Sequence, residues 1–149
     1  MKMKLFQFAS AVVLLSATEA VLVVLGVLPP VLSYSSGNIL FSLAKLAIIA
    51  YAGIVSATDG LWWWKKSAVN GALLGFSGAA AICVFSLLCS AVFGKTVLGL
   101  PAVPNIAPLA ILLAFTLITN AVLGTIVAAI AGFIAIHIRK PNIKRNKKE

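Results

Sequence analysis

The sequence predicts an all-α, polytopic integral membrane protein: a bundle of four transmembrane helices with both termini on the cytoplasmic side. Three observations lead there. First, 62% of the 149 residues are hydrophobic and only 10% are charged, whereas a soluble domain carries about 25% charged residues. So few charges cannot cover the water-facing surface of a domain this size, and disordered chains are poor in apolar residues rather than rich in them. Second, the apolar residues gather into four segments, 5–28, 39–57, 67–93 and 108–138. Each is close to or above the roughly 20 residues that a membrane-crossing helix needs. Third, the basic residues crowd one side of those segments. Backbone groups in hydrocarbon must bond within their own segment, so each span is a helix. Barrel strands would alternate polar and apolar residues over about ten positions.

Span one, 5–28, follows Met1-Lys2-Met3-Lys4 and is stopped by Pro29-Pro30. The basic start resembles a secretory signal, and Thr18-Glu19-Ala20 is a poor cleavage site. The apolar run outlasts a signal core of about 7–15 residues, so an uncleaved first helix is expected. Span two, 39–57, has Asn38 as its predicted N-cap and Asp59-Gly60 as its stop. Span three, 67–93, is closed by Gly94-Lys95. Span four, 108–138, has Pro108 at a first helical position and ends at Arg139-Lys140-Pro141. Its length predicts a tilt or a projecting inner end. Residues 139–149 form a basic cytoplasmic tail expected to meet anionic lipids.

Orientation follows from Lys and Arg near the span ends. The inner side collects Lys2, Lys4, Lys65, Lys66, Arg139, Lys140, Lys144, Arg145, Lys147 and Lys148, against Lys95 alone outside. Trp62-Trp63-Trp64-Lys65-Lys66 falls at the inner boundary, where indoles favour the headgroup layer and lysines the water beyond it, and reads as an interfacial anchor. The outer loop from Lys95 to Ala107, mostly apolar with Pro101 and Pro104, is expected on the membrane surface or dipping into it. A short echo links Val24-Leu25-Gly26-Val27-Leu28-Pro29-Pro30-Val31 to Val97-Leu98-Gly99-Leu100-Pro101-Ala102-Val103. It is open to two readings, a duplicated hairpin or recurrence by composition.

Two stripes of small residues recur every fourth position, on one helix face each. Span three carries Ser67, Gly71, Gly75, Ala79 and Cys83, with Gly78 thickening the face. Span four carries Thr116, Asn120, Gly124, Ala128 and Gly132. Close packing in lipid relies on small residues, so the stripes predict a tight contact between spans three and four. Self-association through one stripe is the competing use.

Glu19 and Lys45 are the charges that topology does not require. A charge near a helix centre costs about 2.5–3.5 kcal/mol on insertion scales, so such residues face a partner, a cavity or the bundle interior. Counting along their spans puts both roughly 4–5 Å to the outer side of the bilayer centre. A Glu19–Lys45 pair is therefore expected, with Asn120, Thr116 and Thr119 at similar depth in an intramembrane polar cluster. Three readings stand: a structural pair, a snorkelling Lys45 beside a protonated Glu19, and a titratable Glu19 in a transport path. Cys83 and Cys89 lack redox or metal spacing, and His137 lacks partner ligands. Packing and interfacial roles are expected for these, and capping or interfacial roles for Asn70 and Asp59.

Ala17-Thr18-Glu19-Ala20-Val21 resembles the membrane-embedded glutamate site of small multidrug transporters, over five residues. That resemblance implies a cation or proton site at Glu19. The chain departs from the family in length, in lacking its aromatic pattern in spans two and three, and in placing Lys45 where it opposes cation binding. No nucleophile–base pair, metal cluster or phosphate loop is visible. The expected function is thus non-enzymatic, without cofactor, metal or nucleic acid: a structural or assembly partner in the cell membrane. The alternative is an oligomeric carrier or channel for small solutes or protons using the Glu19–Lys45 pair. A holin-like lesion former is suggested by small size and the basic tail alone. A homo-oligomer or another membrane protein is the expected companion, besides the lipid bilayer.

Overall fold

The structure, a computed structural model, describes residues 2–57, 62–94, 97–98 and 106–145, with side chains for 5–57, 62–94, 97–98 and 109–138. The described residues form four α-helices, α1 (Lys2–Val24), α2 (Ser36–Ser56), α3 (Trp63–Phe93) and α4 (Ile106–Arg145), and one 3-10 turn, Val31–Ser33. All four helices are long and apolar enough to cross a membrane.

The helix ends differ from the sequence expectation, and each difference has a local cause. α1 stops at Val24, before the prolines, because Gly26 takes a left-handed conformation (φ +74°). The Val27 N–H bonds the Leu22 carbonyl and the Gly26 N–H bonds the Val23 carbonyl, which is the paired closure of a Schellman end. α2 begins at Ser36, with Ser35 rather than Asn38 as its N-cap: the Ser35 hydroxyl accepts the Asn38 N–H at 3.3 Å. Asp59-Gly60 lies outside the described residues. α3 begins at Trp63, four residues before the predicted start, so Trp63, Trp64, Lys65 and Lys66 occupy its first turn. It ends, as expected, at Gly94 (φ +63°); Lys95 lies outside the described residues. α4 starts at Ile106 and runs through Pro141 to Arg145. Pro108 therefore sits within the first turn rather than at its first position, where it still withdraws no helical donor. Pro141 removes one donor, but its fixed φ is itself helical. In α3 and α4 the apolar boundary marks where lipid-compatible composition starts, which is not where backbone hydrogen bonding starts.

α2 and α3 touch each other along a diagonal of the bundle; α1 lies against both on one side and α4 against both on the other. The broadest interface is α3–α4 and the slightest of these is α1–α2. The interior mixes apolar and polar side chains, while large apolar side chains cover the outside. Ser16, Glu19, Ser67 and Ser86 are fully buried, while Ile111, Phe115, Ile118 and Val122 of α4 face outward. The buried apolar cluster that joins Val12, Ile49, Leu74 and Ala128 sits where the four helices meet.

Candidate functional site

The site starts on α1. Val12, Ser16, Glu19 and Ala20 are spaced to share one helix face, and all four are buried. α3 comes close to that face because Gly78 has no side chain. A Cβ there would stand 2.7 Å from Val12 Cγ1 and 3.3 Å from Ser16 Oγ. Gly78 thus serves the α1 contact rather than thickening the α4 stripe.

Lys45 reaches this face from α2. Its Nζ donates to Glu19 Oε2 at 2.7 Å, with the Glu19 side chain 0% exposed and that of Lys45 14% exposed. Glu19 Oε1, Ser16 Oγ and Ser86 Oγ are buried without a hydrogen-bond partner among the described residues. Gly78 faces Ser16, and Cys89 packs with Ala20. Ser86 lies between Gly78 and Cys89 on α3, which brings it near the level of Glu19.

Beside the pair is a cleft of about 350 Å³ between α2 and α4, lined by Lys45 and by Thr116, Thr119 and Asn120. Thr116 and Asn120 are thus brought to the same cleft as Lys45, but not into its hydrogen bonding. Thr116 Oγ1 donates to the Leu112 carbonyl and Asn120 Nδ2 to the Thr116 carbonyl, each at 2.9 Å. The predicted polar cluster is therefore a shared wall, with the two α4 side chains bonded to their own helix.

The small residues meet across α3 and α4. A Cβ on Gly71 would overlap the Gly124 carbonyl, one on Gly75 the Asn120 carbonyl, and one on Gly124 the Gly71 carbonyl. Ala79 is buried and forms part of the cleft floor. The seam extends to α2, which the two-stripe reading did not include. A Cβ on Gly53 would overlap the Ala128 carbonyl, and one on Gly132 would stand 2.7 Å from Ser67 Oγ. Ser67 Oγ donates to the Gly53 carbonyl at 3.0 Å, and Asn70 Nδ2 donates to Ser56 Oγ at 2.6 Å. Asn70 thus ties α3 to α2 and is not a cap. Gly53, the lone glycine of the span 39–57, was the available signal.

Asn38 has an unforeseen role. Its Nδ2 donates to the carbonyls of Pro29 and Pro30 at 3.1 and 3.0 Å, fastening the double-proline turn to the first turn of α2. The Val31 N–H bonds the Val97 carbonyl at 3.0 Å, and Val97 and Leu98 are buried. This part of the α3–α4 connection is packed into the bundle.

At the other end, Lys65 Nζ lies 3.8 Å above the Trp62 ring and 5.5 Å from that of Trp64, a cation–π arrangement. Trp63 packs against Phe133, which packs against His137; Lys66 is exposed. Cys83 and Cys89 are buried free thiols. Among the described residues no three His, Cys, Asp or Glu side chains gather to hold a metal. No protein-family model matches this chain, nor does any curated protein or solved structure.

Proposed function

We propose that this is a multi-pass protein of the cell membrane with both termini in the cytoplasm. We propose that it acts without catalytic chemistry as a structural or assembly partner, and that the Glu19–Lys45 pair fixes how α1 joins the bundle. Insertion is supported by the outward-facing Ile, Phe and Val on four long apolar helices, with serines and a carboxylate among the buried residues. Orientation rests on the charge bias, with the Trp62–Lys66 turn and the basic tail meeting the anionic inner leaflet. The observation that carries the structural role is the geometry of the pair. Glu19 is fully buried and its Oε2 is taken up by an ammonium from the neighbouring helix. The outward face of α1, including Phe6, Leu14 and Val21, remains available to lipid or to another membrane protein.

Exchanging the charges tests this. Glu19→Lys and Lys45→Glu separately are expected to lose most folded protein in detergent, and the double exchange to recover it. Recovery of fold without recovery of any transport would separate structure from carriage. Co-purification of a second membrane protein with the wild type supports the partner role, while a stable homo-oligomer supports the carrier reading. That second reading is favoured by one observation, the presence of Lys45 on the wall of the α2–α4 cleft beside Thr116 and Asn120. Flux of protons, ions or small solutes in proteoliposomes, abolished by Glu19→Gln in a protein that still folds, would establish it. No flux in either protein removes it for those solutes.

A further inference from the structure

The bond to Glu19 does not use up the capacity of Lys45. An ammonium has three N–H donors, and one of them goes to Glu19. The Lys45 side chain is 14% exposed and lines the α2–α4 cleft, whereas Glu19 is 0% exposed and does not. Among the described residues lining the cleft none is acidic, and Lys45 is the sole charge. The pair thus shows the cleft its cationic half alone.

Neutral donors stand at the same level. Gly53 of α2 meets the Ala128 backbone of α4. The cleft precedes that contact in both helices, which therefore run the same way. Lys45 and Asn120 each lie eight residues before it, and so face the cleft at one height. Ser42 is a turn earlier on the Lys45 face of α2, about 4.5 Å along the helix, and Thr119 adjoins Asn120; both line the cleft. The Ser42 and Thr119 hydroxyls have no hydrogen-bond partner among the described residues. Asn120 is exposed and gives one amide N–H to the Thr116 carbonyl, which leaves the other free.

Spare donors around a single positive charge suit an anion. A cation in the cleft is repelled by Lys45 and finds no carboxylate on the described wall. A neutral solute gains hydrogen bonds but nothing from the charge. An anion gains both, because the ammonium has donors left after Glu19 and the hydroxyls can turn their O–H groups towards it. Glu19, bonded to the same ammonium at 2.7 Å, opposes a second negative charge, and so restricts the anion to one that is small and monovalent. The cleft volume of about 350 Å³ is roughly ten times the share of one water in the liquid. A halide-sized ion therefore keeps part of its hydration there, which lowers the cost of binding it.

We propose that the α2–α4 cleft binds a small monovalent inorganic anion of the halide class, held by Lys45 with Ser42, Thr119 and Asn120. This goes beyond the structural role above and requires no transport. The test uses the full chain in phosphatidylcholine nanodiscs and chloride as the probe, with sodium gluconate holding the ionic strength. Chloride NMR line broadening reads the binding, and thermal unfolding checks the fold of each variant. Saturable broadening is expected. Ser42→Ala with Thr119→Val, which removes two donors and leaves the pair intact, should weaken it by about tenfold. Glu19→Gln relieves the ammonium of its competing carboxylate and should tighten chloride binding by about tenfold, the opposite of what a cation site at Glu19 predicts. The double variant Glu19→Leu with Lys45→Met should reduce broadening to the background set by surface lysines. Weaker binding in folded Glu19→Gln, chloride binding indifferent to loss of the two hydroxyls, or no saturable broadening would each overturn the proposal. Displacement of chloride by decanoate at about a hundredth of its concentration would also overturn it, by assigning the cleft to a lipid carboxylate.

Discussion

The two halves of the molecule are both helical hairpins, held together by opposite means. In α3–α4, Gly71, Gly75 and Gly124 bring backbone against backbone, so that a methyl group at any of them would strike a carbonyl oxygen. The contact extends over several turns and draws on dispersion, and on weak Cα–H contacts where backbones meet. In α1–α2 the interface is slight. Its directional links are the Lys45–Glu19 bond, the Asn38 clasp on the double proline, and an edge-on Phe8–Tyr51 contact at 5.8 Å. A glycine seam spreads its stabilisation along the helix, but it tolerates no added volume. A buried pair concentrates direction at one depth and contributes little net stability, because desolvation offsets the attraction. On this account α3–α4 supplies stability and α1–α2 supplies register.

The strongest way to break that contrast is to add volume to the seam. Gly71→Leu should cost more than about 4 kcal/mol, at the extreme for one substitution, because the obstacle is a backbone carbonyl that cannot rotate away. Reversible unfolding in mixed micelles, followed by circular dichroism, measures it; a cost below about 1 kcal/mol would mean that the helices part without penalty. Next is the pair. Lys45→Met leaves the Glu19 carboxylate buried without its partner and should cost about 3–5 kcal/mol. The double variant Glu19→Leu with Lys45→Met should return to within about 1 kcal/mol of the wild type, or exceed it. If the double variant is as unstable as the single one, the pair is a source of stability after all, and the two hairpins are more alike than the structure suggests.

Much of this architecture is legible in the sequence, for reasons specific to the residues concerned. Four helices follow from apolar run length alone, and the meeting of Gly71 and Gly75 with Gly124 follows from spacing by four. Glu19 and Lys45 could be matched because counting residues from the span ends gives both the same depth. What spacing could not give was rotation. Gly78 is three residues from Gly75, far enough around α3 to face Val12 and Ser16 instead of α4. Thr116 and Asn120 reach the cleft, yet bond to their own helix. Nor could hydropathy locate helix ends, which depend on Gly26, Ser35 and the helix-compatible Trp-Lys run, none of which changes polarity where the backbone changes state. Gly94 closes α3 in the left-handed conformation that Gly26 adopts after α1.

The Asn38 clasp should matter less than the pair. Asn38→Ala removes two hydrogen bonds to carbonyls at the edge of the bundle, at a cost of about 1–2 kcal/mol. It should also increase amide exchange at Val31, whose N–H bond to Val97 depends on the same turn. The smallest effect tests the one device the hairpins share. Gly26 and Gly94 both end a helix in the left-handed region, and neither has anything among the described residues within 4 Å of where a Cβ would project. Alanine at either position therefore meets no obstacle among the described residues, and the expected cost is that of the backbone conformation, about 1 kcal/mol. Equal losses at the two sites would locate the difference between the hairpins in their interfaces and not in their turns. A markedly larger loss at Gly26 would show that the α1–α2 connection carries stability that the slight interface does not, and that the register of α1 is set by its turn as much as by Lys45.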